Sequence, residues 1–448
     1  METTTNKQKF GVLLPIVLVS YFLILLNNSI VFTSSIQISQ ELHMNSTMIS
    51  WVSNAYALTF GGFLALGARL GDIFKRKTIF LIGLLIFGVS SLFVALAANQ
   101  GFLIAMRAIQ GVGGTLLAPA SLALLMDNYR DKMLTKAIAY YGATAGVGAS
   151  LGLIIGGFIT SYSSWRNGFY LDIVVSFALL LFSMRFVPTA KQQEAQRNID
   201  YWGSLTSVIG FSTLVYSINA TYLKKTALVI AIISLVSFVL IENKVKEPLI
   251  PLEIFKNNQR SSALFARFFA MGASLSYFFL MPQALQQIFG ITPLMAAIYF
   301  LPLTVLQFIA SLFVARLSFK TSNATVMIAG AVINTIGLLF GAYLGIGRGY
   351  LIGVFIPMIF IGIGQGLVFS PLTIAGVADV KDQIAGAASG AVNTVHQIGG
   401  AVGLAIVSSA TSSITSPANM IDQAQIYMSI LAIIMLLACL NVLRRPHK

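Results

Sequence analysis

The chain has 448 residues, of which 57% are hydrophobic and only 9% charged, and its mean hydropathy is +0.84. So little charge cannot keep a soluble surface of this size wet, which excludes a string of soluble domains and makes lipid the solvent. The formal charge of +14 would suit a nucleic-acid binder, but the basic residues lie in short links between apolar runs, and the single cysteine, Cys439, excludes an intramolecular disulfide and a cysteine-based metal cluster.

A membrane-spanning helix needs about 20 mostly apolar residues. The first such run follows Lys7 and Lys9, covers 11–33, and passes Val31 without a small-residue cleavage site, so it reads as a retained helix rather than a signal peptide. Spans then follow at 48–68, 78–98, 101–125, 137–160, 168–187 and 202–221, and at 226–241, 262–285, 293–315, 325–345, 350–372, 385–409 and 425–443. These fourteen spans put both termini on one side. Of the 28 Lys and Arg residues, only Arg166, Lys224, Lys225 and Arg348 fall on the opposite side, and Arg107 and Arg267 fall within spans. The positive-inside rule makes the terminal side the cytoplasm.

The polar stretch from Pro188 to Asp200 and the link from Glu242 to Arg260 divide the chain further. Residues 1–187 form a six-helix bundle, 188–261 a linker with two extra spans, and 262–448 a second six-helix bundle, as in transporters built from repeats. Gly148, Gly152 and Gly156 recur every fourth residue in the fifth span. Gly386/Gly390 and Gly399/Gly403 do so in the thirteenth. Glycines so spaced form a groove for close backbone approach, which suits tight packing and a sliding surface alike.

Three motifs carry the chemistry. Ala68-Arg69-Leu70-Gly71-Asp72-Ile73-Phe74-Lys75-Arg76-Lys77 follows the second span, with Asp72 at a helix end where it can accept from a helix N-terminus or a basic side chain. The fourth span holds Arg107-Ala108-Ile109-Gln110-Gly111-Val112-Gly113-Gly114, and an arginine in lipid must face a cavity or a partner. The fifth ends Gly148-Ala149-Ser150-Leu151-Gly152-Leu153-Ile154-Ile155-Gly156-Gly157.

These stretches resemble the signatures G-x-L-a-D-r-x-G-r-k, R-x-x-q-G-x-g-a and g-x-x-x-G-P-x-x-G-G of the major facilitator superfamily. Ala68 and Lys75 replace glycines, Ile73 a basic residue and Leu153 the usual proline. Trp165-Arg166, Glu247 to Phe255, Pro282 to Gln287, and Ser389-Gly390 through Asn393, Gln397, Gly399 and Gly400 resemble its fourteen-helix drug:proton antiporter subfamily, of the type found in Gram-positive bacteria. The resemblance implies an all-α integral membrane protein with the major facilitator fold, multi-pass in a bacterial cytoplasmic membrane. It implies a monomer without nucleic-acid partner or cofactor that is driven by the proton gradient. The substrates it implies are lipophilic or cationic drugs and dyes, exported in exchange for protons. Asp72 and Arg76 would latch a gate, Gly111, Gly148, Gly152, Gly156 and Gly157 would set the helix approaches, and Arg107 would serve proton coupling.

The subfamily commonly has an aspartate in helix one, within L-D-x-T-I-V, whereas this chain reads Leu26-Asn27-Asn28-Ser29-Ile30-Val31. Asn27 cannot titrate. Of the fourteen acidic residues only Asp172 lies clearly inside a span, where the family more often has asparagine. A carboxyl group removed from water can load and release a proton, which makes Asp172 the exchange candidate with Arg107 as its partner; the alternative is an interfacial acid neutralised by Arg166 or wetted by headgroup water. His396 can relay a proton or make a structural polar contact. Arg267 reads as a snorkelling anchor.

Substrate contacts are expected from Asn27, Asn28, Trp51, Tyr56, Phe279, Gln283 and Gln286, with aromatic faces taking flat lipophilic cations. Two other functions fit the same sequence: export or facilitated passage of a small metabolite without proton coupling, and monovalent cation/proton exchange. No pore-loop filter, HExxH or P-loop occurs, so a channel or a membrane enzyme is not expected.

Overall fold

The computed structural model describes residues 10–188, 200–219, 222–245, 248, 250, 252–380 and 385–443. They form helices throughout, because lipid offers the backbone no hydrogen-bonding partner and a helix satisfies itself. In the first half these are α1 (Leu13–Glu41), α2 (Ser46–Gly62), α3 (Leu64–Ile73), α4 (Arg76–Ala95), α5 (Gln100–Asn128), α6 (Asp131–Tyr162) and α7 (Trp165–Phe186). A hairpin of α8 (Tyr201–Asn219) and α9 (Lys224–Lys244) follows. The second half holds α10 (Asn258–Phe289), α11 (Pro293–Lys320), α12 (Asn323–Leu344), α13 (Ile356–Gly376), α14 (Ala385–Thr411) and α15 (Pro417–Leu443).

Short polar residues start the helices. Asn45, Asn99, Ser164, Asn257 and Ser322 each accept from a backbone N–H of the turn they cap, and Thr292 does so just before Pro293 at the first position of α11. Such caps let the chain reverse within a few residues.

Among the described residues, twelve helices are long and apolar enough to cross a membrane, or thirteen when α2 and α3, bent by 46° at Phe63, count as one span. The span expected at 202–221 is α8, whose hydroxyl-rich sequence lowers its hydropathy. Ser204, Thr206, Ser207, Thr213 and Ser217 all donate to carbonyls of the preceding turn, which is how such residues are accommodated in an apolar setting.

In the first half α1 lies against α6 and α7, α2 against α5, and α4 between α5 and α7. In the second, α10 lies against α14 and α15, α12 against α13 and α15, and α11 against α13. The halves meet along two seams, α6 on α11 and α2 on α14, with α1 touching α10 between them. The α8–α9 hairpin lies along the second seam, where α8 packs on α2 and α14. One apolar cluster runs from Ile30 and Val31 through Phe300 and Met358 to Leu404, so the core is continuous across the halves.

The glycine grooves occupy corresponding places in the two halves. A Cβ on Gly152 would lie 2.7 Å from Ser29 Oγ, and one on Gly156 3.0 Å from the Ile30 Cα, so α6 rides directly on α1; Gly148 faces Leu25 in the same row. In the second half a Cβ added to Gly399 would fall 2.5 Å from the Phe268 carbonyl and one on Gly403 would collide with the Gly272 backbone, so α14 rides on α10. A Cβ on Gly157 would point the other way, 2.8 Å from the Pro293 carbonyl on α11. The groove is therefore packing inside each half, and only its last member touches the seam between them.

We expect Gly403→Leu to destabilise the fold by about 1–3 kcal/mol or more, since the added branch overpacks a backbone contact. Gly390→Ala, whose Cβ finds its nearest neighbour at 3.9 Å, should leave the thermal unfolding midpoint of the detergent-solubilised protein unchanged.

Candidate functional site

α5 carries the central cation. Gly111 lets it approach α2, where a Cβ would stand 2.5 Å from the Tyr56 carbonyl, and Gly113 lets it approach α4, 2.7 Å from the Phe87 amide. This closeness brings Arg107 within reach of α1 and α2, and it is fully buried. Its Nε donates to the Val52 carbonyl at 2.9 Å, and its Nη1 donates to Gln110 Oε1 at 2.5 Å and to Asn27 Oδ1. Gln110 in turn donates to Ser91 Oγ on α4 at 2.6 Å. The guanidinium stacks 4.6 Å from the Tyr56 ring centre, a cation–π contact within a water-poor core.

Asp172, on α7, is equally buried, and Asn27 Nδ2 donates to its Oδ2 at 2.6 Å. Arg107 and Asp172 thus do not pair directly. Asn27 stands between them, its amide oxygen toward the cation and its NH₂ toward the carboxylate, a double role that a carboxamide can fill and a carboxylate cannot. Among the described residues three buried polar atoms here have no partner: Arg107 Nη2, Asp172 Oδ1 and the Tyr56 hydroxyl. Leaving such atoms unpaired costs stability, and ionisable groups kept inside a membrane at that cost are candidates for function. The Arg166 alternative does not apply, because Arg166 pairs with Glu41 and donates to the Ala97 carbonyl at 2.7 Å.

Between the halves lies a cavity of about 340 Å³. Asn28 and Tyr56 line it from the first half, together with Tyr21 and Phe32; Phe278, Gln307, Gln365, Phe369, His396 and Gln397 line it from the second. It continues between α6 and α11 into a space of about 460 Å³ bounded by Ala139, Gly142, Ser311 and Leu312. That space leads toward the end where α6 starts and α11 finishes, the end that also holds Arg76, Arg130 and Arg260. The opposite end is shut by three contacts across the seam: Gln286 Nε2 to the Thr33 carbonyl at 3.1 Å, Leu294 N to Ser161 Oγ at 2.8 Å, and Gly157 against Pro293.

Of the seven substrate-contact expectations, Asn28 and Tyr56 reach the cavity wall. The other five lie away from it. Asn27 is spent in the polar relay, and Gln286 ties the closed end. Trp51 turns toward the hairpin, its ring 6.3 Å from that of Tyr216. Phe279 is fully buried in the core, and Gln283 donates to its carbonyl at 2.7 Å. Phe278, one position earlier, faces the cavity instead.

His396 lies half-buried on the cavity wall, with its Nδ1 2.9 Å from Arg267 Nη2. Arg267 does not snorkel. It is only 7% exposed, donates through Nη1 to the Phe369 carbonyl at 2.8 Å and Thr373 Oγ1 at 2.7 Å, and lies over the Phe369 ring. Partners contributed by α13 and α14 hold it inward, which distance from a helix end could not foretell. At the open end Arg76 pairs with Asp127 and donates to the Ala123 carbonyl at 3.3 Å, tying the start of α4 to the end of α5. Asp72 sits on the last turn of α3, its side chain outside the described residues. Among the described residues no group of His, Cys, Asp and Glu is placed to hold a metal ion.

Residues 17–404 match the profile of the Major Facilitator Superfamily. The chain is 31% identical over 413 residues to the puromycin resistance protein of Streptomyces alboniger, covering 90% of this chain and 82% of that one. It is 29% identical over 408 residues to the cephamycin export protein of Amycolatopsis lactamdurans, covering 89% and 84%. Among solved structures, a bacterial homolog of the human lysosomal transporter Spinster, inward-facing and unoccupied, has a TM-score of 0.71 at 15% identity, over 97% of this chain and 98% of that one. The nucleoside transporter NupG has a TM-score of 0.68 at 14% identity, over 97% and 100%. At such identities the likeness is one of fold. The protein is a transporter rather than an enzyme, and it passes the cell membrane many times. Matched by sequence over most of its length and folded as two helical bundles about a central cavity, the chain belongs to the Major Facilitator Superfamily.

Proposed function

We propose that this transporter exports amphipathic drugs or dyes in exchange for protons by alternating access, and that Asp172 is the group that carries the proton. The observation that carries this reading is the relay Asp172–Asn27–Arg107, which abuts the cavity at two points. Tyr56 stacks on Arg107 and lines the cavity, while Asn28 lines it from the position next to Asn27. A substrate lying on Tyr56 and Asn28 therefore touches the helices that hold the carboxylate.

Protonation would remove the charge that Asn27 Nδ2 faces. A hydrogen bond to an ionised group is about twice as strong as a neutral one, so a proton on Asp172 loosens the link from α1 to α7. Asn27 would then be held chiefly by Arg107, and α1, which packs into the glycine groove of α6 and carries the seal at Thr33, would be released from one of its ties. Ionisation restores the tie. The same group thus answers to proton and to substrate, as exchange requires.

The relatives named for puromycin resistance and cephamycin export support the outward direction. So does charge: if the end bearing Arg76, Arg130 and Arg260 is cytoplasmic, the cavity stands open to the cell interior and shut toward the outside, ready to load. In this reading the chain works as a monomer of the fourteen-span group, with α8 as a true span beside α9 and both termini inside.

Two measurements test the reading. In liposomes holding a pH-sensitive dye, wild-type protein should move protons when a lipophilic drug is added, and Asp172→Asn should lower that signal by about tenfold or more while still binding the drug. Undiminished proton movement in the variant would remove Asp172 from the mechanism. Reporter tags fused after Arg445 and placed near Pro188 should both respond as cytoplasmic; an external response from either would reverse the assigned direction.

A further inference from the structure

We infer that His396 selects the substrate, presenting a fixed N–H donor to the cavity that takes the carbonyl or carboxylate oxygen of an uncharged or acidic amphiphile in preference to a cation. This inference rests on the export reading above and names the substrate class of the same cavity.

Arg267 fixes the donor. A guanidinium has five N–H groups and no acceptor, so at 2.9 Å from Arg267 Nη2 the His396 Nδ1 must be the accepting atom. The ring is then neutral and carries its hydrogen on Nε2. A second proton on the ring would abolish this bond and set two cations side by side. Among the described residues Nε2 has no protein partner, and it is not one of the sealed polar atoms of the core, since His396 is half-buried on the cavity wall. One donor is therefore held ready for a ligand.

The surrounding wall gives this donor its weight. Asn28, Gln307, Gln365 and Gln397 are carboxamides, which can turn either an oxygen or an NH₂ toward a ligand and so set no polarity. Among the described residues no aspartate or glutamate lines the cavity. Asp172, the acid of the relay, is engaged with Asn27 and lies outside the wall. Arg267 is bound by a carbonyl, a hydroxyl and the imidazole, with no carboxylate among its partners in the described residues. Its charge is thus uncompensated locally and polarises the ring, strengthening the outward N–H as an electrostatic donor. A cation entering this half of the cavity would find the aromatic faces of Phe278 and Phe369, but also an unscreened positive field. An oxygen acceptor would find the same faces and the donor together.

Three probes with one aromatic body separate these cases: 1-pyrenebutyrate, its methyl ester, and 4-(1-pyrenyl)butyltrimethylammonium. Binding to the full chain in nanodiscs, measured by equilibrium dialysis against protein-free nanodiscs, should favour the carboxylate and the ester over the ammonium by about tenfold. His396→Phe should bring all three within about threefold of one another, and His396→Gln, whose amide oxygen can accept from Arg267 and so turn its N–H toward the cavity, should retain the order. Binding of the ammonium as tight as that of the other two in wild type, or a preference that survives in His396→Phe, would overturn the inference. Should His396→Phe fail to fold, the wild-type order alone decides. The assay uses no proton gradient, so a wild-type protein that binds in this order yet moves no protons would defeat the exchange mechanism and leave the selectivity standing.

Discussion

A carboxamide holds a buried cation and a buried carboxylate apart in this protein, and the rest of the first bundle is arranged around that fact. Asn27 joins α1 to α5 through Arg107 and to α7 through Asp172. A direct ion pair would have locked the two charges together, with their mutual attraction opposing any gain or loss of a proton. With an amide between them, each end of the link is a single hydrogen bond, and each charge keeps one polar atom unspent. The site is held together, but not tightly enough to be inert. Glycines at 111 and 113 make this geometry reachable by bringing α5 close to its neighbours.

The second bundle answers with a different device. There the cation is Arg267, and what stands between it and the cavity is an imidazole rather than an amide. The buried relay of the first bundle is close to neutral when Asp172 is ionised, while Arg267 in the second has no carboxylate partner among the described residues. The two walls of one cavity therefore differ in chemistry even though their helices repeat in packing, with α6 on α1 matched by α14 on α10. Repetition fixes the architecture; single residues within it divide the labour.

Much of the fold was legible because lipid imposes simple demands. Long apolar runs and charge at their ends each have one physical meaning in a bilayer, and glycines every fourth residue mark a close backbone approach. Asp172 stood out for the same reason, as an acid inside an apolar run. Asn27 did not, since a sequence shows that it lacks charge but not that it faces charge on both sides. The cavity wall was harder still. Successive residues on a helix point about 100° apart, so Phe278 and Phe279, or Asn27 and Asn28, have opposite fates that only packing decides. Arg267 was misread because its partners come from helices about a hundred residues away in the chain. The hydroxyls of α8 bond to their own helix, which hydropathy alone scores as polar.

The hairpin of α8 and α9 makes the two seams mechanically unequal. It grips α2 on one side and α14 on the other, where Ser409 Oγ also donates to the Ile218 carbonyl at 2.9 Å. Parting α2 from α14 would strip it from one of them, whereas parting α6 from α11 disturbs it not at all. The molecule is bound along one edge like a book, and its pages turn most freely at the edge the hairpin leaves bare.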